Sequence, residues 1–229
     1  MIILLTFATD KLIIVQLMNT DQLPSHFVYS KNVIELVTVA AETCLFLEHA
    51  TEFTQVDFVQ KSVKLLPLLY LKASLVEIPE TVFDDGTERF VSEEDYQFVR
   101  EQIEQILGSD DSYLEVFHPD MALSDTPIAA FVSENLADIY QELKDFAANY
   151  QLADVDTMND ALAGCLVAFG EHWGQKSLNA LRALHAVRFS ENFGIDPEEE
   201  ESVINKKIDR NSFLNFQHDE ESDDLGDIL

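Results

Sequence analysis

Residues 58–76, FVQKSVKLLPLLYLKASLV, constrain this chain more than any other stretch. Wound as a helix at about 100° per residue, Val59, Val63, Leu66 and Tyr70 share one face, continuing Val56 just before them. Phe58, Leu65 and Leu69 occupy another. A helix that is apolar on two sides belongs inside a fold, with other helices packed around it. The pattern therefore predicts a central helix. Pro67 removes a backbone donor and disfavours helical geometry at Leu66, so a kink or a break is expected there.

The flanking segments read as further helices. Asn32 with Glu35 fits a capping arrangement, and Val33, Val37, Ala40, Ala41, Cys44 and Leu47 then keep one face apolar to Ala50. Glu35 and Glu42 point the opposite way, to solvent. Thr54 is the expected N-cap of the central helix. Residues 77–91 form a long loop, signalled by Ile78-Pro79 and Asp84-Asp85-Gly86, of a length that suits a cover over part of a bundle.

Ser92 caps the next helix, with Glu93, Glu94 and Asp95 at its positive end. Its buried stripe is Tyr96, Val99, Ile103, Ile106 and Leu107, and Gly108 ends it. From Ser109 to Val132 periodicity does not decide: 113–117 and 128–132 fit short helices or extended pieces. Ser133 caps a helix with Leu136, Ile139, Leu143, Phe146 and Tyr150 on one side. In the last pair, Met158, Leu162, Cys165, Leu166, Phe169 and Trp173 fall in a narrow arc after an Asp156 or Thr157 cap. Gly174 permits a turn, and Leu178, Leu181 and Leu184 begin a stripe running to Phe189.

Charge narrows the function classes. Lys and Arg number 14 against 43 Asp and Glu, a formal net charge of -29. Such a surface repels phosphates and anionic lipid, which argues against direct nucleic-acid or membrane binding and favours a protein partner with a basic surface. Cys44 and Cys165 lie on apolar helix faces and are read as buried, reduced thiols of a cytoplasmic protein. The expected organisation is an N-terminal extension over 1–25, with Met18 a candidate start, a helical domain over 26–193 and an acidic disordered tail over 194–229. The 1–18 stretch is too short, and too charged at Asp10 and Lys11, for a membrane helix. Beyond Pro197 the tail holds four consecutive glutamates and, from Asp196 on, twelve acids against Lys206, Lys207 and Arg210.

Four stretches carry a family resemblance: YSKNVIELVTVAAE (29–42), LLPLLYLKASL (65–75), SENLADIYQELKDF (133–146) and WGQKSLNALRALH (173–185). As a set they resemble an uncharacterised bacterial family, domain of unknown function 5063, seen mostly in Bacteroidetes. The resemblance spans about Tyr29 to Arg188 and implies a cytoplasmic, mainly helical domain. It implies no cofactor and no catalytic residue.

Glu134, Asp138, Glu142 and Asp145 recur at helical spacing opposite Leu136, Ile139 and Leu143, and read as a solvated face rather than a metal site. His172, His185 and Arg188 each lie near an apolar face. If Gly174 turns the chain back, the two imidazoles approach one another beside Trp173, with Glu48 a carboxylate from the edge of the first helix. No phosphate loop, nucleophile elbow or HExxH is present in the sequence.

The fold expected is all-α, a bundle of five or six helices around a kinked central one, with no metal and no cofactor. The function expected is non-enzymatic protein binding, an adaptor; the alternative is a helical-bundle metal-dependent hydrolase using His172, His185 and Glu48. A second docking element is expected in the tail, where Asp223, Asp224 and Asp227 precede or flank the apolar Leu225, Ile228 and Leu229. In physical chemistry that peptide is similar to the C-terminal docking peptide of bacterial single-strand DNA-binding proteins, acids steering and an apolar end anchoring.

Overall fold

The computed structural model describes residues 26–115, 128–191, 193 and 194. The expectations for the N-terminal extension, for Val116 and Phe117, and for the acidic tail with its docking residues lie outside them. The described fold is all-α with one small hairpin, and its helical unit ends at Phe189.

A 3-10 turn, Phe27–Tyr29, leads into α1, Lys31–Glu48. Asn32 does not cap α1. Ser30 holds that position, and the Asn32 amide donates instead to the Leu75 carbonyl at 3.2 Å. Glu35 is not free in solvent either: Lys72 donates to it at 2.7 Å, which holds its carboxyl below the ordinary range. The letters of a capping box were present, but a distant lysine took the glutamate.

Thr54 caps α2, Gln55–Ser74, accepting from the Asp57 amide. α2 runs unbroken through Pro67. The proline withholds one amide from the ladder, and that loss is small beside keeping Phe58, Val59, Leu66 and Leu69 in the core. The more consequential correction concerns sidedness. α2 packs against α1 on one flank and the last helix on another, but Leu68, Leu71 and Leu75 stay 41%, 51% and 50% exposed. It is a flank of the bundle, not its centre.

α3, Glu93–Leu107, opens with a full capping box between Ser92 and Asp95 and closes at Gly108, whose φ of 53° suits a residue without Cβ. A 3-10 turn, Gly108–Asp111, then leads to β1, Ser112–Glu115, which pairs antiparallel with β2, Ile128–Phe131, Ser112 opposite Phe131. Of the undecided pieces, 113–115 and 128–131 are extended, and Val132 opens the next helix.

α4, Val132–Gln151, is the true centre: it packs on α1, α3 and both halves of the C-terminal rod, and twelve of its twenty residues are buried. Ser133 is not its cap but its second helical residue, and the buried Asp111 caps it from outside. Asp111 accepts from the Ser133 amide and hydroxyl, both at 2.7 Å, supplying an acceptor at the positive end of the helix.

Ala153, with φ 59°, turns the chain into α5, Val155–Ala168. Asp154 caps it, and Thr157 is the donor to that cap rather than the cap itself. The turn expected at Gly174 does not exist. α5 passes through a π-helical turn, Phe169–Trp173, straight into α6, Gly174–Arg188, with helical torsions at Phe169 and Gly174. Trp173 is fully buried and its indole N–H donates to the Cys165 carbonyl at 2.9 Å, within the stretch where the wider π turn disturbs the regular ladder. Gly174 is needed for another reason: a Cβ there meets the Phe169 carbonyl and ring.

Gly174→Ala is expected to destabilise by about 1–3 kcal/mol through that overlap. Thermal denaturation checks it: each kcal/mol corresponds to roughly 2–4 °C in a chain of this size. An unchanged midpoint would mean the π turn relaxes at no cost.

Candidate functional site

The continuous rod separates the two histidines. His172 and His185 are thirteen residues apart along it, about 20 Å. His172 is half exposed, with Nε2 4.0 Å from Asp138 Oδ2. His185 is exposed and packs on the Phe189 ring, as does Arg188 from 5.2 Å. Trp173 lies inside the core, and Glu48 belongs to a different interface. The paired-imidazole arrangement is thus overturned by the geometry of one helix.

Glu48 receives Tyr140 at 2.9 Å and Lys144 at 2.7 Å, both from α4. Burial and the neighbouring Glu48 charge push the Tyr140 phenol well above its usual range. Beside it, Gln102 of α3 donates to the Glu48 carbonyl and accepts from Thr51. This cluster binds α1, α3 and α4 together, each group occupied by the next.

Three members of the acidic stripe of α4 are likewise engaged rather than solvated, while Glu134 stays exposed as a solvated face implies. Asp138 takes the Tyr96 hydroxyl and the Lys176 ammonium, each at 2.9 Å. Asp145 accepts from the backbone amides of Phe90 and Val91, and Arg89 lies 3.9 Å from it and from Glu142. At the other end of α4, Asn135 donates to the Tyr113 hydroxyl, which donates in turn to Glu115, and Asn179 donates to Glu115 at 2.8 Å. Burial, aided by the Glu115 charge and opposed by the Asn135 bond, pushes the Tyr113 phenol up to about 12. Among the described residues no three His, Cys, Asp or Glu converge to hold a metal ion.

The long loop does cover the bundle, and its anchors are main-chain groups. Asp160 of α5 accepts from the Val82 and Phe83 amides at 2.7 Å, and Asn159 donates to the Glu80 carbonyl. Asn149 donates to the Glu88 carbonyl.

Among the described residues, a groove lies open between α2 and α6. It measures about 240 Å³ and is lined by Leu66, Pro67, Tyr70, Leu71 and Ser74 on one wall and Ser177, Leu178 and Leu181 on the other. Its wall is apolar apart from the two serines. Ser177 Oγ is buried and meets no hydrogen-bond partner among the described residues. Leu178 is 42% exposed at the rim, and His185 shares the Leu181 side of α6 one turn on. Sequence reading missed this groove because its leucines looked like core. Only Leu71 gave a signal, falling seven residues after Lys64 on the same helical face.

The model of one protein family, described as "Domain of unknown function (DUF5063)", matches residues 27–190. The chain belongs to this family. A solved structure similar to this DUF5063 chain is the crystal structure of protein BF1032 from Bacteroides fragilis, a structural genomics target. The two are 46% identical, with 72% of this chain and 97% of that one covered and a TM-score of 0.65. No curated protein matches the chain. Among the described residues, no helix is long and apolar enough to cross a membrane.

Burial works to raise the Asp160 carboxyl, but the Val82 and Phe83 amides, helped by Asn159, bring it below its ordinary 3.8. The carboxylate therefore stabilises the loop fully above the unfolded value, and the effect is lost as pH falls through the lower folded value. Asp160→Asn is expected to speed amide exchange at Val82 and Phe83 by about tenfold or more at neutral pH, the scale of a charge-assisted bond. Unaltered exchange would show that the aspartate does not hold the loop.

Proposed function

We propose that this DUF5063 chain is a cytoplasmic, non-enzymatic protein-binding module that seats an apolar segment of a basic partner in the α2–α6 groove. The observation that carries this reading is the groove itself, an open apolar slot walled by Leu71 of α2 and Leu178 of α6. A helix or extended segment laid there covers Leu71 and Leu178, which are 51% and 42% exposed. The net charge of -29 draws basic partners at long range, while the groove supplies the short-range anchor. Free, buried Cys44 and Cys165 suit a reducing compartment.

The polar clusters support binding over catalysis. Asp138, Glu48, Asp145 and Asp160 each spend their oxygens on neighbouring elements, and the two histidines of the hydrolase alternative do not meet.

A photoreactive phenylalanine analogue placed at Leu178, in the cells that make the protein, tests the reading. It is expected to yield a discrete protein adduct whose cross-linked segment is apolar and rich in Lys or Arg. The same analogue at Glu94, exposed on α3, serves as the control. Equal adducts at both positions, or none at 178, would overturn the assignment.

A further inference from the structure

The outward side of α2 carries a second pattern. Lys64, Leu68, Leu71 and Leu75 follow one another at spacings of four, three and four residues, the alternation of a helix–helix seam. All four are exposed, and of them only Leu71 also faces the groove. α2 is also basic within an acidic chain, holding Lys61, Lys64 and Lys72 against Asp57 alone. Acids gather just past its end, where Glu77 and Glu80 are exposed.

In the sequence these charges fall at matched distances from Leu71, the lysines within α2 and the glutamates just past its end at Ser74. Lys64 and Lys61 lie seven and ten residues before Leu71, and Glu77 and Glu80 lie six and nine after it. The acidic end is held in place: Asn32 bonds the Leu75 carbonyl and Asn159 bonds the Glu80 carbonyl.

We infer that the occupant of this face is a second copy of the chain, with two α2 helices packed antiparallel about Leu71. In that arrangement Leu68 meets the other copy's Leu75, and the lysines of each copy meet the glutamates of the other. The contact is self-complementary, as a two-fold interface requires. A parallel pairing sets lysine against lysine and is disfavoured. At about 0.15 M salt the repulsion between distant acids is screened beyond roughly 8 Å, so the local pairs and leucines decide. Resting on the protein-binding reading above, one consequence follows: Leu71 lines both surfaces, so the second copy forms an outer wall for each groove.

Sedimentation velocity on the full chain tests this. A reversible dimer is expected with Kd on the order of 10 µM, fitting a small interface. Leu68→Asp, with helicity checked by circular dichroism, is expected to be monomeric. The pair Lys61→Glu with Lys64→Glu, and separately Glu77→Lys with Glu80→Lys, are each expected to weaken the dimer at least about tenfold. Mixing the two double variants restores it as a heterodimer, a rescue that general destabilisation does not produce. A monomer well above 10 µM, failure of the mixed variants to pair, or a photoreactive group at Leu68 that labels another protein in place of a second copy overturns the inference. A monomer that still cross-links from position 178 leaves the groove reading intact; a dimer silent at 178 removes that reading and keeps this one.

Discussion

A helix enclosed on several sides must hand each of its polar side chains to a neighbour, because an unpaired polar group in a core costs on the order of 1–3 kcal/mol. α4 meets this demand almost turn by turn. Ser133 is taken by Asp111, Asn135 by Tyr113, Asp138 by Tyr96 and Lys176, Tyr140 and Lys144 by Glu48, Asp145 by the loop amides, and Tyr150 by the Val28 carbonyl. Those partners come from the hairpin, α3, α6, α1, the long loop and the N-terminal turn. The apolar stripe of α4 draws the other elements in without direction; its polar residues give each of them a register.

The C-terminal rod solves a different problem. A regular helix from Val155 to Arg188 has one fixed phase between its two halves, yet α5 faces α4 while α6 must face both α4 and α2. The π turn inserts a phase shift without ending the helix. Trp173 fills the space beneath and bonds Cys165, while Gly174 leaves room for Phe169. Phe169 in turn packs edge-on against Tyr70, joining the π turn to α2 at the groove.

Much of this was legible from the chain alone where the cause was local. Ser92 with Asp95, Thr54, Gly108 and the stripe Leu136, Ile139, Leu143 depend on neighbours within a turn or two, and the structure places them as their patterns imply. The failures share a distant cause. Glu35 is taken by Lys72, Ser133 by Asp111, and Asp145 by amides some fifty-five residues earlier, none of which a helical wheel contains. Gly174 looked like a break because glycine permits one; its actual use, close approach of Phe169, needs three dimensions. Leu178, read as part of an apolar stripe, is 42% exposed, because leucine says only that burial is favourable, not that it happens in this fold. Of the candidate residues that are described, only His185 comes beside the groove, and the histidine pairing failed with the missing turn.

The loop over α4 and α5 is seated almost wholly by its own main chain: amides of Val82, Phe83, Phe90 and Val91 give, carbonyls of Glu80 and Glu88 receive. Every side chain in those bonds belongs to the helices beneath. Such a loop is free to drift in sequence while keeping its path, since nearly any residue supplies the same peptide groups. Proline is barred from four positions, and otherwise Val82, Phe83 and Phe90 are variable tips on a fixed mount. Relatives with this fold can therefore differ in what the loop displays without rebuilding the helices that carry it.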